Sequence, residues 1–280
     1  MNETTILYRT RRGAVATDGS RWFLVERPWD ELVNDDALQG SLAELCAGAH
    51  DDPSLAAEAA APLAPIGSQE VWAAGVTYFR SRVARMEEAE AAAGAGFYDR
   101  VYDAERPELF LKATPHRVVG TGEAMHLRRD SAWIVPEPEL VLVVTRNGRI
   151  VGYTIGNDLS CRDIEGENPL YLPQAKTFDR CAAVGPGVLV AGEPPGGDSA
   201  VSLAVRRREA TVYEGATTLG QMKRNPDELV GYLFRDNAHP AGCLLMTGTG
   251  IVPADDFTLQ RGDVVEISIE GIGTLANTMD

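Results

Sequence analysis

Short apolar runs broken by Gly, Pro, Asp and Asn dominate the chain, and long amphipathic stretches are few. Residues 5–8 and 22–25 read as strands around a Gly/Asp/Ser turn region. Residues 41–45 begin like a helix, with Ser41 as N-cap and Glu44 three residues on. Ala61-Pro62-Leu63-Ala64-Pro65 breaks the pattern and reads as a linker. Beyond it, residues 71–76 form an apolar run of strand length. Residues 79–93 carry Phe79, Val83 and Met86 at helical spacing, predicting an amphipathic helix that Gly94-Ala95-Gly96 ends, and a mobile segment there suits a lid. Residues 140–144 and 150–155 flank Arg146-Asn147-Gly148-Arg149, whose Asn-Gly step signals a hairpin. Further strands are predicted at 188–190, 201–205, 244–247 and 264–269, and Pro226 opens a helix reaching residue 234. With no regular βαβ alternation, the fold class is α+β, mostly β, with an antiparallel-rich sheet and peripheral helices. The linker divides the chain into a small N-terminal domain over 1–65 and a larger domain over 66–280.

Composition narrows the partners. The 280 residues carry 26 basic and 41 acidic side chains, a formal charge of −15. That excess argues against nucleic acid, whose phosphates need a basic patch, and against anionic membranes. No basic and then apolar leader opens the chain, and no apolar run approaches the ~20 residues of a membrane span. Cys46, Cys161, Cys181 and Cys243 are far apart, which disfavours zinc and disulfides and fits buried thiols in a reducing cytosol. A soluble cytoplasmic protein is expected. Neither GxGxxG nor GxxxxGK[ST] occurs after a strand, so a nucleotide phosphate cradle is unsupported.

The acidic residues are informative in one place. Pro136-Glu137-Pro138-Glu139-Leu140 leads into the hairpin's first strand. Residues two apart share a face of an extended chain, so Glu137 and Glu139 stand side by side, with Pro138 stiffening the backbone between them. Such a pair alone suits a solvated, acidic strand entrance, or a site where a cation offsets the repulsion. Asp158, nineteen residues after Glu139, is folded back beside them by the Asn147-Gly148 turn. Three carboxylates with no His or Cys make a hard oxygen site suited to Mg2+, Mn2+ or Ca2+ rather than zinc. Arg162 and Asp163 read as a structural pair at a helix start. His50 and His239 lie in polar, turn-like contexts, and His116 and His126 read as structural or surface groups.

Glu137-Pro138-Glu139-Leu140, Gly152-Tyr153-Thr154-Ile155-Gly156-Asn157-Asp158, Ser160-Cys161-Arg162-Asp163 and Lys176-Thr177-Phe178-Asp179, followed by Gly185-Pro186 and Thr247-Gly248-Thr249, resemble the fumarylacetoacetate hydrolase family in kind and order. The resemblance spans roughly residues 70–280. It implies a rolled-up β core, often behind a small N-terminal domain, and assembly as a homodimer or homotetramer. It also implies Mg2+ or Mn2+ on Glu137, Glu139 and Asp158, and a small 2-oxo or β-dicarbonyl acid as substrate.

One departure selects among the family's reactions. Its hydrolases and decarboxylases carry Asn-Tyr-x-x-His-x-x-Glu, whose His–Glu pair activates water. Here Ser81 stands at the His position and Ala84 at the Glu position, which disfavours hydrolysis or decarboxylation by that route. Arg106-Pro107-Glu108-Leu109-Phe110-Leu111-Lys112-Ala113-Thr114-Pro115, the stretch from Glu167 to Lys176, and Arg235-Asp236-Asn237 are similar to the family's 2-keto-3-deoxy-D-arabinonate dehydratases. That similarity implies a metal-dependent hydro-lyase giving 2-oxoglutarate semialdehyde. Dehydration needs a base at C3 and an acid at the C4 hydroxyl. Lys176 is the candidate base, or a clamp on the substrate carboxylate, and Glu108 the candidate acid or its positioning partner. Thr247-Gly248-Thr249 is a candidate carboxylate anchor or a plain strand-ending turn, and Tyr78, Arg82 and Lys112 are candidates for distal hydroxyls or charge. A non-catalytic, metal-dependent binding protein for acidic metabolites is the reading from a different class.

Overall fold

The structure, a computed structural model, describes residues 5–78 and 101–280. The predicted helix over 79–93 and the Gly94-Ala95-Gly96 break, and with them Ser81, Arg82 and Ala84, lie outside the described residues.

In chain order the strands open with β1 (Thr5–Thr10), β2 (Gly13–Thr17), β3 (Trp22–Val25), β4 (Glu70–Gly75), β5 (Glu108–Ala113) and β6 (Val118–Val119). There follow β7 (Ala124–Met125), β8 (Ile134–Val135), β9 (Pro138–Val144), β10 (Ile150–Asp158), β11 (Ser160–Cys161) and β12 (Ala182–Val190). The last are β13 (Ala200–Arg207), β14 (Ala210–Thr218), β15 (Cys243–Met246), β16 (Val264–Ile269) and β17 (Gly273–Met279). The largest sheet runs β3-β2-β1-β12-β10-β9-β15-β4-β5, with β6 beside β12. A second runs β14-β13-β16-β17-β7, and β11 pairs with β8. Pairing is antiparallel except at β4–β15, β6–β12 and β7–β17. The fold is therefore mostly β and antiparallel-rich. The first three strands continue the large sheet through β1, whose Leu7 faces Val188 of β12.

The hairpin that organises the site forms where the Asn-Gly step predicts it. β9 and β10 pair from Val144 opposite Ile150 down to Pro138 opposite Asn157. Gly148 turns the chain with φ +74°, and its N–H donates to Thr145 O at 2.9 Å. Every residue of β9 is buried, with β13 packed against it and β16 and β17 against the neighbouring β10. This two-sided burial explains the unbroken Leu-Val-Leu-Val-Val run, where a half-exposed strand would alternate.

Helices α1 (Trp29–Leu32), α2 (Leu38–Ala47) and α3 (Leu55–Ala59) accompany the N-terminal strands, and α4 (Arg162–Glu167), α5 (Leu172–Lys176) and α6 (Pro226–Leu233) follow. Ser41 does not cap a helix. Asp35 accepts from the Ala37 N–H at 2.9 Å and from Ser41 Oγ at 2.7 Å, so α2 starts earlier, at Leu38. The sequence reading also missed β14 and β17. They are rich in Thr, Gly, Ala and Asn rather than large apolar residues, and they are held by pairing to β13 and β16. His239 lies at a turn, its carbonyl accepting from the Gly242 N–H at 2.8 Å and its Nε2 3.2 Å from Asn237 Nδ2, but its ring is buried against Trp72 and Phe234. Among the described residues no helix is long and apolar enough to cross a membrane.

Candidate metal centre

Register brings the acids together. Glu139 faces Gly156 across the hairpin, and Asn157 faces Pro138. Asp158 then comes level with Glu137, to whose carbonyl its N–H donates at 3.0 Å. Asn157 Oδ1 accepts from the Glu137 N–H at 3.2 Å and fixes the entry to β9. Ligand oxygens of Glu137, Glu139 and Asp158 lie within 4.8 Å of one another. These residues are only 4%, 2% and 1% exposed, which makes them an interior cluster rather than a solvated strand entrance.

Buried carboxylates are costly unless compensated, and three cations converge on these. Lys176, the last residue of α5, donates from Nζ to Glu137 Oε2 at 2.8 Å, Asp158 Oδ2 at 3.1 Å and Ser160 Oγ at 2.6 Å. Its ammonium also lies 5.6 Å from the centre of the Phe110 ring. Lys112 Nζ is 2.6 Å from Asp158 Oδ1. Arg162 Nη2 is 2.9 Å from Glu137 Oε1.

Arg162 therefore does not pair with Asp163 as expected. Asp163 instead accepts from Ser131 Oγ and the Ala132 N–H, both at 2.6 Å, and Arg162 turns inward to the cluster. Arg162 and Ser160 were missed by the sequence reading. A signal existed: three interior carboxylates demand buried donors, and both residues follow Asp158 closely.

Glu139 sits differently. Its carboxylate accepts from the Gly248 N–H. Its carboxyl is held well above the ordinary glutamate range, first by burial and then by the negative charges of Asp158 and Glu137. Gly248 has φ +89°, and a Cβ there would lie 2.0 Å from Thr77 Oγ1. Only glycine lets this N–H reach Glu139. The set of hard oxygens fits a divalent cation, because Glu139 favours its protonated form until positive charge arrives beside it.

The other expected site residues divide. Glu108, at the start of β5, faces Gly75 on β4, and a Cβ at 75 would lie 2.0 Å from Glu108 Oε2. Phe110, two residues along the strand, touches Lys176, which puts Glu108 on the side of the cluster. Tyr78 is 3% exposed, and burial, reinforced by the charge of Glu139, keeps its phenol protonated. The hydroxyls of the Thr247-Gly248-Thr249 turn serve the backbone: Thr247 Oγ1 donates to Leu140 O at 2.9 Å and Thr249 Oγ1 to Ile251 O at 3.1 Å. Lys112, expected toward distal substrate groups, is instead fully buried and directed at Asp158.

Known proteins match this architecture. A model of the fumarylacetoacetate (FAA) hydrolase C-terminal family matches residues 71–280. The Haloferax volcanii protein named "Probable 2-keto-3-deoxyxylonate dehydratase" is 51% identical over 217 residues, covering 77% of this chain and 73% of that protein. The 2-dehydro-3-deoxy-D-arabinonate dehydratase of Saccharolobus solfataricus is 47% identical over 213 residues, covering 75% and 72%. A solved structure of 2-keto-3-deoxy-D-arabinonate dehydratase complexed with magnesium and 2,5-dioxopentanoate superposes with TM-score 0.82 at 34% identity, over 99% of this chain and 98% of that one. With the family model spanning most of its length and these relatives alongside, the chain belongs to the fumarylacetoacetate hydrolase family.

Proposed function

We propose that this protein is a Mg2+-dependent hydro-lyase that converts 2-keto-3-deoxy-D-arabinonate to 2,5-dioxopentanoate and water. One observation carries the reading: a lysine amine lies within 3.1 Å of two members of a buried three-carboxylate cluster. The chain containing it is 47% identical to a 2-dehydro-3-deoxy-D-arabinonate dehydratase. The xylonate name of the other relative adds no second substrate. Xylonate and arabinonate of the D series differ only at C2 and C3, and a 2-keto-3-deoxy acid has lost both centres.

Glu137, Glu139 and Asp158 would hold the cation, whose positive charge would acidify the C3 position next to the 2-oxo carbonyl. Lys176, as the neutral amine, takes a proton from C3, and Glu108, as the carboxylic acid, protonates the C4 hydroxyl, which leaves as water. This gives a 2-oxo-3-ene that retains the C5 hydroxyl. The Glu108 carboxylate then takes a proton from C5 while the Lys176 ammonium returns one to C3. The resulting enol tautomerises to the C5 aldehyde, and both side chains are restored. Tyr78, a neutral donor, recognises substrate oxygens, and Arg82 belongs to the same proposed recognition set.

The same reading gives a small 2-oxo acid as partner, a cytoplasmic location and a homodimeric or homotetrameric assembly. Product analysis tests it: dehydration yields the semialdehyde, whereas carbon–carbon cleavage yields pyruvate.

A further inference from the structure

We infer that Lys112 is a positioning residue of the dehydration, which holds Asp158 and the main chain at Lys176 in place and does not touch substrate. The inference rests on the dehydratase reading.

A backbone irregularity coincides with this side chain. Opposite β4, Leu111 faces Trp72 and Ala113 faces Val71, so Lys112 is the extra residue of a β-bulge. Period-two alternation puts Lys112 on the same face of β5 as Phe110, toward the cluster, where it is 0% exposed. Its ammonium meets Asp158 Oδ1 at 2.6 Å and Leu159 O at 2.9 Å, and it also donates to Lys176 O. Two of its hydrogens go to main-chain carbonyls, and Asp158 supplies the counter-charge. The Phe178 ring, 5.5 Å from Nζ, packs beside it.

The acceptors belong to two separate pieces of chain. Asp158 and Leu159 close β10 and contribute a carboxylate of the cluster. Lys176 ends α5 and carries the proposed base. One cation thus sets the distance between the two groups whose relative position the reaction depends on, and it fixes one Asp158 oxygen while the other faces Lys176. A buried cation shared between two pieces of chain in this way restrains both.

Lys112→Met keeps the apolar stem and removes the donors. In Mg2+-loaded protein acting on 2-keto-3-deoxy-D-arabinonate, its kcat falls about 10- to 100-fold, the usual loss when a group that orients a metal ligand is removed. KM stays at the wild-type value, and the EPR spectrum of Mn2+ bound without substrate changes. A raised KM with kcat retained would make Lys112 a substrate contact and overturn the inference. Wild-type kcat with an unaltered Mn2+ spectrum, which leaves Lys112 a core cation only, overturns it as well. Should Lys112→Met fail to fold, Lys112→Arg decides on the same readings, because a planar guanidinium cannot reproduce the convergent contacts of a compact ammonium. Reduced kcat at constant KM then supports the inference, and wild-type kinetics or a raised KM overturns it. Wild-type protein inactive on this substrate defeats the dehydratase reading instead, and the Mn2+ spectra of wild type and variant still report whether Lys112 holds Asp158.

Discussion

Glu108 folds its carboxylate into the space that a side chain on Gly75 would fill: a Cβ at position 75 would stand 2.0 Å from Glu108 Oε2. The two residues face each other across β4 and β5, so the missing side chain of one seats the functional group of the other. In Gly75→Ala the cheapest relief is rotation of the flexible glutamate, not movement of the strands. Thermal stability should hardly change, while kcat falls about 100-fold or more if Glu108 is the acid. Combining Gly75→Ala with Glu108→Gln should add little to either alone, since both remove the same group. Steady-state kinetics and melting curves on the two single variants and the double variant check this. Unchanged kcat in Gly75→Ala would remove Glu108 from the mechanism.

Metal binding and proton transfer separate at Glu139 and Lys176. Glu139→Gln loses a charged oxygen ligand and should abolish Mn2+ binding in titrations followed by EPR. Lys176→Met removes a cation that contacts two of the carboxylates, so Mn2+ binding persists. Its kcat should fall about 100- to 10,000-fold, the range for loss of a general acid–base group. Normal turnover in Lys176→Met would show that another group takes the C3 proton.

Glu139 also fixes a pH dependence. Its carboxyl is raised in the folded protein, by burial and then by Asp158 and Glu137. The metal-free fold therefore keeps a proton that the unfolded chain releases at about pH 4.3. The stability this contributes is complete below that pH and is lost as pH rises through the folded value. A cation takes the place of that proton, so binding releases it and the stabilisation by Mg2+ grows with pH. Melting temperatures with EDTA and with saturating Mg2+, compared from about pH 5 to about pH 8, should diverge. A constant gap across that range would contradict the assignment of Glu139 as a ligand.

The site was legible where local rules decide it. Asn147-Gly148 sets the turn, period-two alternation aligns Glu137 with Glu139, and together they bring Asp158 level with Glu137. What escaped depends on non-local contacts. Leu7 meets Val188 only because two distant edges pair, which no short window of sequence reveals. Lys112 finds its counter-charge in Asp158, which a distant strand carries. Arg162 has an acidic neighbour at hand, yet the deeper demand of Glu137 for a partner prevails. Composition cannot display such competition, because it is settled by burial.

The most direct test of the whole account is an NMR time course of the protein with Mg2+ and 2-keto-3-deoxy-D-arabinonate, with EDTA in a parallel sample. The account predicts that 2,5-dioxopentanoate accumulates in step with loss of substrate, that no pyruvate appears, and that EDTA stops the reaction. Pyruvate as the product, or semialdehyde formation indifferent to EDTA, would contradict it.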